Sequence, residues 1–486
     1  MTGPVDAHPA PYRPLPHQPG PYQPVPRRGA LRRTTPAPPV RIVHLGLGAF
    51  CRSHTAWYTH HAADSSDWGI AAYAGRTRSR DLTARLARQN GLYSIVERGP
   101  VRDRVEVIGS IVRAHSGGDV PRLVADLSAA ATAIITLTIT ETGYRLRADD
   151  TPDWDDPSVV ADAEILRGVA RGTVTTSDAR PVTALGRLLL GLDARRRAGS
   201  GPVAVVSCDN LSDNGGRLRR GLSALAAGCL PETAAWIAEH AAFVSSSVDR
   251  ITPRLAADEA AALAAEYADE AVVVTEPFRD WILCGRFPAG RPAWEAAQAR
   301  FVADIEPWEA RKLWLLNGAH TLLACLGLVR GHDTVARAVA DPVCRDAVNR
   351  LWNEAERHLP DGLDVPAYRR ALLERFENPR IEHPLAQIAI DTLTKLRLRV
   401  VPVAERELAA GREAAGCATA IAAWVVAARR GALPQDASSE SVRRAAGAPD
   451  PVLSMLTLLS AELAKRRRPF QSRIAAAQAR IDLADP

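Results

Sequence analysis

The sequence predicts an α/β domain with a doubly wound, mostly parallel sheet, followed by a mainly α-helical domain. Short apolar segments alternate with helical patterns over the first 300 residues, as in parallel sheets that are covered on both faces. From about residue 307, Leu, Ala, Trp and Arg recur at helical spacing and strand signals nearly vanish. A chain of 486 residues is also too long for one ordinary core. We therefore assign residues 40–300 to the α/β domain and 301–486 to the helical domain.

The elements of the α/β domain follow one another from residue 40. The first strand runs into Gly46-Leu47-Gly48 and then into a helical pattern, and the later strands are equally apolar and short. The predicted strands are 40–45, 68–74, 133–139 and 203–207, and the predicted helices are about 50–63, 80–89 and 181–198.

Residues 1–39 are predicted to be a disordered, proline-rich, basic tail. The first 40 residues hold 12 of the 35 prolines and carry five arginines against one aspartate. Such a segment buries too little apolar surface to offset the entropy lost on ordering. Because the tail accounts for +4 of the net charge of +6, the remaining chain is nearly neutral. A nucleic-acid partner is therefore not expected, since it would require a basic face.

Three further observations indicate a cytoplasmic protein with no membrane partner. The sequence has no run of eighteen apolar residues. Prolines occupy the first thirty residues, where a secretory signal would need an apolar core. The seven cysteines are scattered and form no CxxC pair, which favours free thiols over disulfides or a structural zinc site. We expect a monomer or a small homo-oligomer.

Lysine is rare enough in this chain to be informative. Only Lys312, Lys395 and Lys465 occur among 61 basic residues. Arginine cannot lose its proton in a protein, whereas lysine can do so and act as a base. Lys465 lies in the run KRRR and is interpreted as a solvated charge. Lys312 and Lys395 lie in apolar-patterned segments and remain candidates for lysine-specific chemistry.

The glycine turn after the first strand is a candidate dinucleotide site. A strand, a glycine turn and a helix N-terminus let the backbone approach a pyrophosphate. Cys51 stands where the third glycine of GxGxxG is usual, and a turn that binds no ligand is the alternative. The candidate cofactor-binding residues of the turn are Gly46, Leu47, Gly48, Ala49 and Phe50.

The end of the second strand bears on the choice between NAD and NADP. An acid there would bind the ribose 2′-hydroxyl of NAD, but Arg76, Arg78 and Arg80 follow the strand before any acid. Arg76 and Arg78 are candidate partners for a 2′-phosphate, and a solvated turn is the alternative. NAD is the expected cofactor, with NADP as a second one.

The segment from Glu309 to His320 combines polar groups within an apolar pattern. On an ideal α-helix, Lys312 and His320 lie about 80° apart and roughly 12 Å along the axis, so both could reach one small ligand. Glu309 is one turn before Lys312, close enough to pair with it or to relay its proton. Asn317 lies about 140° from Lys312 on such a helix, which is an awkward placement. A core role for His320 is the alternative.

At these residues the sequence resembles the polyol-specific long-chain dehydrogenases, the family of mannitol 2-dehydrogenase and fructuronate reductase. The matching blocks run in family order over most of the chain, and the K-x4-N-x2-H element of the seventh block is nearly diagnostic. They are IVHLGLGAFCRSH (42–54), GLYSIVER (91–98), TITETGY (138–144), SCDNLSDNG (207–215), SVDRITP (247–253), EPFRDW (276–281), KLWLLNGAH (312–320) and QIAIDTLTKL (387–396). The resemblance implies a Rossmann-like domain followed by a helical substrate-binding domain.

The resemblance also implies residue roles. Lys312 matches the catalytic base, and Glu309 a carboxylate linked to its proton transfer. Asn210 and Asn317 match the pair that hold the reacting oxygen. The positions matching substrate contacts are His320, Asp249, Lys395 and Gln387. The chemistry implied is metal-independent oxidation of a secondary alcohol of a sugar acid or polyol.

Departures from the family pattern bear on the substrate. Gln387 stands where mannitol 2-dehydrogenases are expected to carry arginine, which favours a sugar acid of the mannonate–fructuronate type. Mannitol or arabinitol remains an alternative substrate. A zinc enzyme built on Cys51, His54, His60 and His61 is a further alternative, although their spacing lacks a zinc pattern. A non-catalytic sensor of nucleotide or sugar is the last alternative.

Overall fold

The computed structural model describes residues 31–75, 80–465 and 469–483. The chain divides between Glu306 and Pro307 into two compact units, which we call the α/β domain and the helical domain. The boundary predicted at residue 300 is six residues early, because a short strand at Arg300–Phe301 still pairs with the sheet of the α/β domain. The change of pattern near residue 307 marks the observed division.

The predicted doubly wound parallel sheet is confirmed. Among the described residues, eight strands form the main sheet in the order β11-β10-β8-β7-β6-β1-β2-β5, and of their pairs only β8–β10 is antiparallel. A small second sheet has the order β4-β3-β9. The strands are β1 Val40–Leu47, β2 Gly69–Ala74, β3 Tyr93–Arg98, β4 Asp103–Ile108, β5 Ile111–His115, β6 Ile134–Leu137, β7 Val203–Ser207, β8 Ala241–Asp249, β9 Val273–Thr275, β10 Asp280–Cys284 and β11 Arg300–Phe301.

Helices cover both faces of the main sheet. Alternate residues of the central strands enter two separate apolar clusters, so that Ile42 packs in one cluster and Val43 in the other. Burial on both faces explains why the sequences of these strands are continuously apolar and do not alternate between apolar and polar residues. The helices are α1 Ala49–Ser53, α2 Thr55–His60, α3 Arg80–Arg88, α4 Val120–Ser128, α5 Pro157–Arg171, α6 Ala184–Ala198, α7 Asn214–Cys229, α8 Pro231–His240 and α9 Ala257–Tyr267.

The prediction of one continuous helix over residues 50–63 is wrong. It consists of two short helices, α1 and α2, which meet at His54. The His54 ring is fully buried between the rings of Phe50, at 4.8 Å, and Trp281, at 5.3 Å. We infer that burying this ring, with its Nε2 3.2 Å from the carbonyl oxygen of Asp280, favours the break over a continuous helix.

The prediction of a disordered tail is wrong for residues 31–39, while residues 1–30 lie outside the described part of the chain. Leu31 is buried. The Arg33 guanidinium donates to the carbonyl oxygens of Gly109 at 2.8 Å and Ile111 at 3.1 Å. Hydrogen bonds to backbone carbonyls next to β5 therefore hold this segment against the α/β domain.

A truncation series tests this docking. Removing residues 1–30 should leave turnover and melting temperature unchanged. Arg33→Ala should lower the free energy of unfolding by about 1–2 kcal/mol, because it removes charged hydrogen bonds to the backbone. Arg32→Ala is the matched control, since Arg32 is exposed. Thermal unfolding of the three proteins is the measurement, and an Arg33 variant as stable as the Arg32 variant would contradict the docking.

The helical domain is built around one long, kinked helix. This run extends from Glu306 to Val329 and consists of helix α10, a π-helical turn at Lys312–Asn317 and helix α11. This run is long and apolar enough to span a membrane, but 72% of its most apolar window is buried inside the protein. The helices are α10 Glu306–Arg311, α11 Gly318–Val329, α12 Val335–Ala340, α13 Pro342–Glu356, α14 Val365–Phe376, α15 Leu385–Ile388, α16 Thr392–Arg399, α17 Val401–Ala409, α18 Ala415–Arg429, α19 Ser439–Ala446, α20 Pro451–Leu459, α21 Ala461–Lys465 and α22 Pro469–Leu483.

Candidate functional site

The α/β domain has a cavity of about 470 Å³ at the carboxyl ends of its central strands. The strand order reverses between β1 and β6, and ligands of doubly wound sheets bind at such a switch point. Asn210 and Phe50, two of the predicted site residues, are in its wall. The lining residues are Phe50, Thr138, Ile139, Thr140, Glu141, Thr142, Cys208, Asp209, Asn210 and Val248.

Glycine is favoured at Gly46 and at Gly48 of the first turn for different structural reasons. Gly46 has φ +107°, and a Cβ there would lie 2.2 Å from the carbonyl oxygen of Thr138, so glycine is required by the close approach of β1 and β6. A Cβ on Gly48 would meet only the Gly46 carbonyl oxygen, at 3.7 Å. The backbone at Gly48 therefore faces open space that a dinucleotide phosphate could fill. The residues present fit such a cofactor.

The cofactor-binding prediction for Arg76 and Arg78 lies outside the described residues. The strand that precedes them, β2, ends at Ala74 as predicted. Asp249 is the last residue of β8, is buried, and lies opposite Asp280 of β10. Its position at a strand end next to Val248 of the cavity wall agrees with the predicted substrate contact, whose role stays a proposal.

A π-helical turn corrects the predicted placement of Asn317 relative to Lys312. The Gly318 N–H donates to the Leu313 carbonyl, five residues back, so residues five apart are stacked in this turn as residues four apart are in an α-helix. Lys312 and Asn317 are five apart and thus share a face. Both side chains are half-buried, whereas Trp314, Leu315 and Leu316 between them are buried.

Side chains stabilise the π turn by bonding its displaced carbonyls. The Trp352 Nε1 donates to the Leu315 carbonyl at 2.7 Å. The Asn317 carbonyl accepts from the Thr321 hydroxyl at 3.0 Å and from Arg399 at 3.3 Å. These bonds keep the backbone polar groups satisfied where the regular ladder is interrupted. Since π turns occur often at functional sites, the local geometry agrees with the role predicted for this segment.

His320 is buried on α11, in contact with two rings. The His383 and Phe376 rings each lie 4.9 Å from it, centroid to centroid. Burial lowers the pKa of His320 well below its ordinary value, and electrostatic interaction with His383, Arg375, Arg399 and Lys395 lowers it further. His320 is therefore neutral at physiological pH, and it can form hydrogen bonds to a ligand but cannot supply a charge.

Sequence reasoning missed three members of this basic cluster, His383, Arg375 and Arg399. Burial, followed by the charges of Arg375 and Lys395, lowers the pKa of His383 to about 4. Two buried ring nitrogens, His320 Nε2 and His383 Nδ1, have no hydrogen-bond partner among the described residues. Only tertiary contacts bring these residues together, although the resemblance named their neighbours.

Lys395 and Gln387 lie on consecutive helices of the same region. The Lys395 ammonium donates to the Ile388 carbonyl at 2.9 Å, and burial lowers the pKa of this lysine, as does Arg399. Gln387 is exposed on α15. The structure thus brings Lys395 and His320 into one cluster, while Gln387 presents an uncharged side chain at the surface of the helical domain.

One group of side chains in the described part of the chain has the composition of a metal site. Ligand atoms of His332, Asp341 and Cys344 lie within 4.8 Å of one another. The Asp341 carboxylate already accepts from Arg330 at 2.5 Å and caps Val343 of α13 at 2.8 Å. Burial raises the pKa of Cys344 to about 12. We interpret the group as an ion-pair network at a helix N-terminus.

The four residues of the alternative zinc site, Cys51, His54, His60 and His61, make hydrogen bonds to other groups. The His61 Nε2 lies 3.1 Å from Glu106, and the His60 Nδ1 accepts from the Gly109 N–H at 3.3 Å. Cys51 accepts a hydrogen bond from Thr55 at 3.6 Å. Within the described ranges these four residues do not form a group with metal-ligand spacing.

A crevice at the switch point of a doubly wound sheet, in a chain whose helical domain carries a half-buried lysine, is typical of dinucleotide-dependent oxidoreductases. Residues 40–296 match the mannitol dehydrogenase Rossmann domain, and residues 304–444 match the mannitol dehydrogenase C-terminal domain. The chain belongs to the mannitol dehydrogenase family, and the predicted resemblance is confirmed.

Three relatives show the range of the family. The chain is 35% identical over 396 residues to D-mannonate oxidoreductase of Escherichia coli (strain K12), and the alignment covers 79% of each chain. It matches a D-sorbitol dehydrogenase in substrate-free form with a TM-score of 0.83 and 27% identity, over 93% of this chain and 96% of that one. It matches Pseudomonas fluorescens mannitol 2-dehydrogenase in a ternary complex with NAD and D-mannitol with a TM-score of 0.73 and 28% identity, over 94% of each chain.

Family membership fixes the class of activity. This protein is an NAD-dependent dehydrogenase of the CH–OH group of a polyol or sugar acid. The alternative of a non-catalytic sensor is therefore not supported.

Proposed function

We propose that this dehydrogenase interconverts the secondary alcohol and the ketone of a linear sugar acid of the mannonate–fructuronate type. The observation that carries the proposal is the basic cluster around His320, in which Arg375, Arg399 and Lys395 supply positive charge near the neutral rings of His320 and His383. Positive groups gathered in a partly buried region favour an anionic ligand such as a carboxylate. The relative named D-mannonate oxidoreductase agrees with this chemistry.

In the proposed mechanism Lys312 is the general acid and base. Its amine takes the proton of the substrate hydroxyl during oxidation and returns it during reduction. Glu309 is three residues earlier on the same helical run, within reach to relay that proton towards solvent. NAD, held by the residues of the first turn, would supply the acceptor for the hydride that leaves the carbon.

Two asparagines are proposed to stabilise the reacting oxygen. Asn317 shares a helical face with Lys312, and Asn210 lines the cavity of the α/β domain. Each side-chain amide donates an N–H to the oxygen as negative charge develops on it, in the manner of an oxyanion hole. His320, neutral because it is buried, would hold a neighbouring hydroxyl of the substrate, and Asp249 and Lys395 would contact its ends. The proton transfer then requires no metal.

Residues of the first turn would hold the cofactor. Gly46, Leu47, Gly48, Ala49 and Phe50 surround the start of α1, which is too short to supply a full helix dipole. Backbone N–H groups at Gly48 and Ala49 are therefore proposed to supply most of the contact to the pyrophosphate. Arg76 and Arg78 are proposed to make NADP usable as a second cofactor.

Neutral polyols are the second candidate substrates. Two relatives are named for D-sorbitol and D-mannitol, and an exposed, uncharged Gln387 would accept a hydroxyl as readily as a carboxylate. The basic cluster favours the sugar acid over these.

A substrate panel tests the proposal. Initial rates on fructuronate and fructose with NADH, and on mannonate, mannitol and arabinitol with NAD, should show a higher kcat/KM for the two sugar acids. Each assay should be repeated with the NADP form of the cofactor. Its kcat/KM should stay within several-fold of the value with the NAD form, because solvated ion pairs in general contribute only about 0.2–1 kcal/mol each. A higher kcat/KM on fructose than on fructuronate would rule out the sugar-acid assignment.

A further inference from the structure

A buried tyrosine–aspartate pair lies at the cavity of the α/β domain, where Asp209 is one of the lining residues. The Tyr144 hydroxyl donates to Oδ2 of Asp209 at 2.5 Å. Tyr144 is 3% exposed and Asp209 is 8% exposed. Burial raises the pKa of both groups, so Tyr144 keeps its proton and donates it. The hydrogen bond joins the segments 138–144 and 207–215, which follow the adjacent parallel strands β6 and β7 and both contribute residues to the cavity lining.

The same aspartate fixes the turn that carries Asn210. Oδ1 of Asp209 accepts from the Leu211 N–H at 2.9 Å, so the residues on both sides of Asn210 are joined through one carboxylate. Asn214 ties the turn to the sheet, because its Nδ2 donates to the Asp209 carbonyl at 3.3 Å and to the Ser246 carbonyl of β8 at 2.8 Å. Asn210 is thus at the tip of a turn whose base is rigid.

The other member of the pair, Tyr144, belongs to a second segment of the cavity lining. Tyr144 ends the short 3₁₀ turn Glu141–Tyr144, and Thr140, Glu141 and Thr142 line the same cavity as Asn210. A single hydrogen bond therefore joins two segments that line the cavity. Groups that stabilise a developing charge must be held in place before the reaction.

We propose that Tyr144 and Asp209 are positioning residues, which hold the Asn210 amide in the orientation needed to donate to the reacting oxygen. This inference rests on the proposed role of Asn210. Although Asp209 lines the cavity, the proposal is that the pair acts through Asn210 and not by contact with the substrate.

The α/β domain offers a matched control. The Tyr73 hydroxyl donates to Oδ2 of Asp126 at 2.5 Å, and this bond is also buried. Neither Tyr73 nor Asp126 is among the residues that line the cavity. Tyr73→Phe and Tyr144→Phe remove the same kind of hydrogen bond from the same domain, and they should destabilise it similarly.

The test is a double-mutant cycle with Asn210→Ala in the full-length enzyme. Tyr144→Phe should lower kcat by roughly 10- to 100-fold, since small misplacements of catalytic groups have effects of this size, with NADH affinity changed less than about twofold. In the Asn210→Ala background the same substitution should lower kcat no further, because coupled residues are not additive. Tyr73→Phe should leave kcat unchanged in both backgrounds.

Three outcomes overturn the proposal. One is an equal loss of kcat from Tyr144→Phe in the presence and absence of Asn210, and another is a comparable loss from Tyr73→Phe. The third is an unchanged kcat in Tyr144→Phe. Should Asn210→Ala itself keep full turnover, the proposed role of Asn210 fails first, which separates that failure from a failure of the pair.

Discussion

Lys312→Arg is expected to lower kcat by a factor on the order of 10²–10⁴, the usual contribution of general acid–base catalysis. Arginine keeps the positive charge and much of the length of lysine, but it cannot give up its proton at any pH at which the protein is folded. Lys312 is half-buried in the π turn, so an arginine should fit with little change in stability. Steady-state rates on the best substrate of the panel are the measurement.

Lys465→Arg is the matched control for this variant. Lys465 is exposed at the end of α21, and the same substitution there should change neither kcat nor the melting temperature. Near-normal turnover by the Lys312 variant would mean that another group transfers the proton. A large fall in its melting temperature would point to loss of the fold instead, and Lys312→Met would then separate charge from packing.

Asn317→Asp is expected to lower kcat by about 10²–10³, the loss seen when one oxyanion donor is removed. The substitution keeps the size of the side chain but replaces an N–H donor by a carboxylate, which repels the developing alkoxide. KM should change little, because this charge is absent from the ground state.

Asn353→Asp is the control for that variant. Asn353 is exposed on α13, and the isosteric change there should leave kcat unaltered. A rise in KM at constant kcat for the Asn317 variant would assign Asn317 to substrate binding rather than to stabilisation of the alkoxide.

The sequence predicted the central sheet because its strands are buried on both faces. Ile42 and Val43 enter different apolar clusters, so β1 reads as one apolar run. The strands β3, β4 and β8 were not predicted, because they mix apolar residues with Arg, Glu or Ser, as in DRVEVI (103–108). Strands of such mixed composition carry a weaker local signal than continuous apolar runs, even where, as in β3, most of the strand is buried.

The geometry of the candidate site could not be predicted from the sequence, and the roles of its residues remain predictions. The spacing of Lys312 and Asn317 was evaluated on an ideal α-helix, but a π turn depends on distant donors such as Trp352 and Arg399. The same holds for His383, which meets His320 only through the tertiary packing of the helical domain. Contacts between residues distant in sequence leave no periodic pattern by which they could be recognised.

Chemical rescue of Lys312→Ala tests the central claim most directly. The variant should have almost no turnover on its own, and added primary amines should restore it in proportion to their concentration. Among amines of similar size, the rescued rate of alcohol oxidation should rise with amine basicity, because the amine replaces the missing base. Asn317→Ala should show no such response. Substantial turnover by Lys312→Ala without amine, or rescue that is independent of amine basicity, would contradict the assignment of Lys312 as the base.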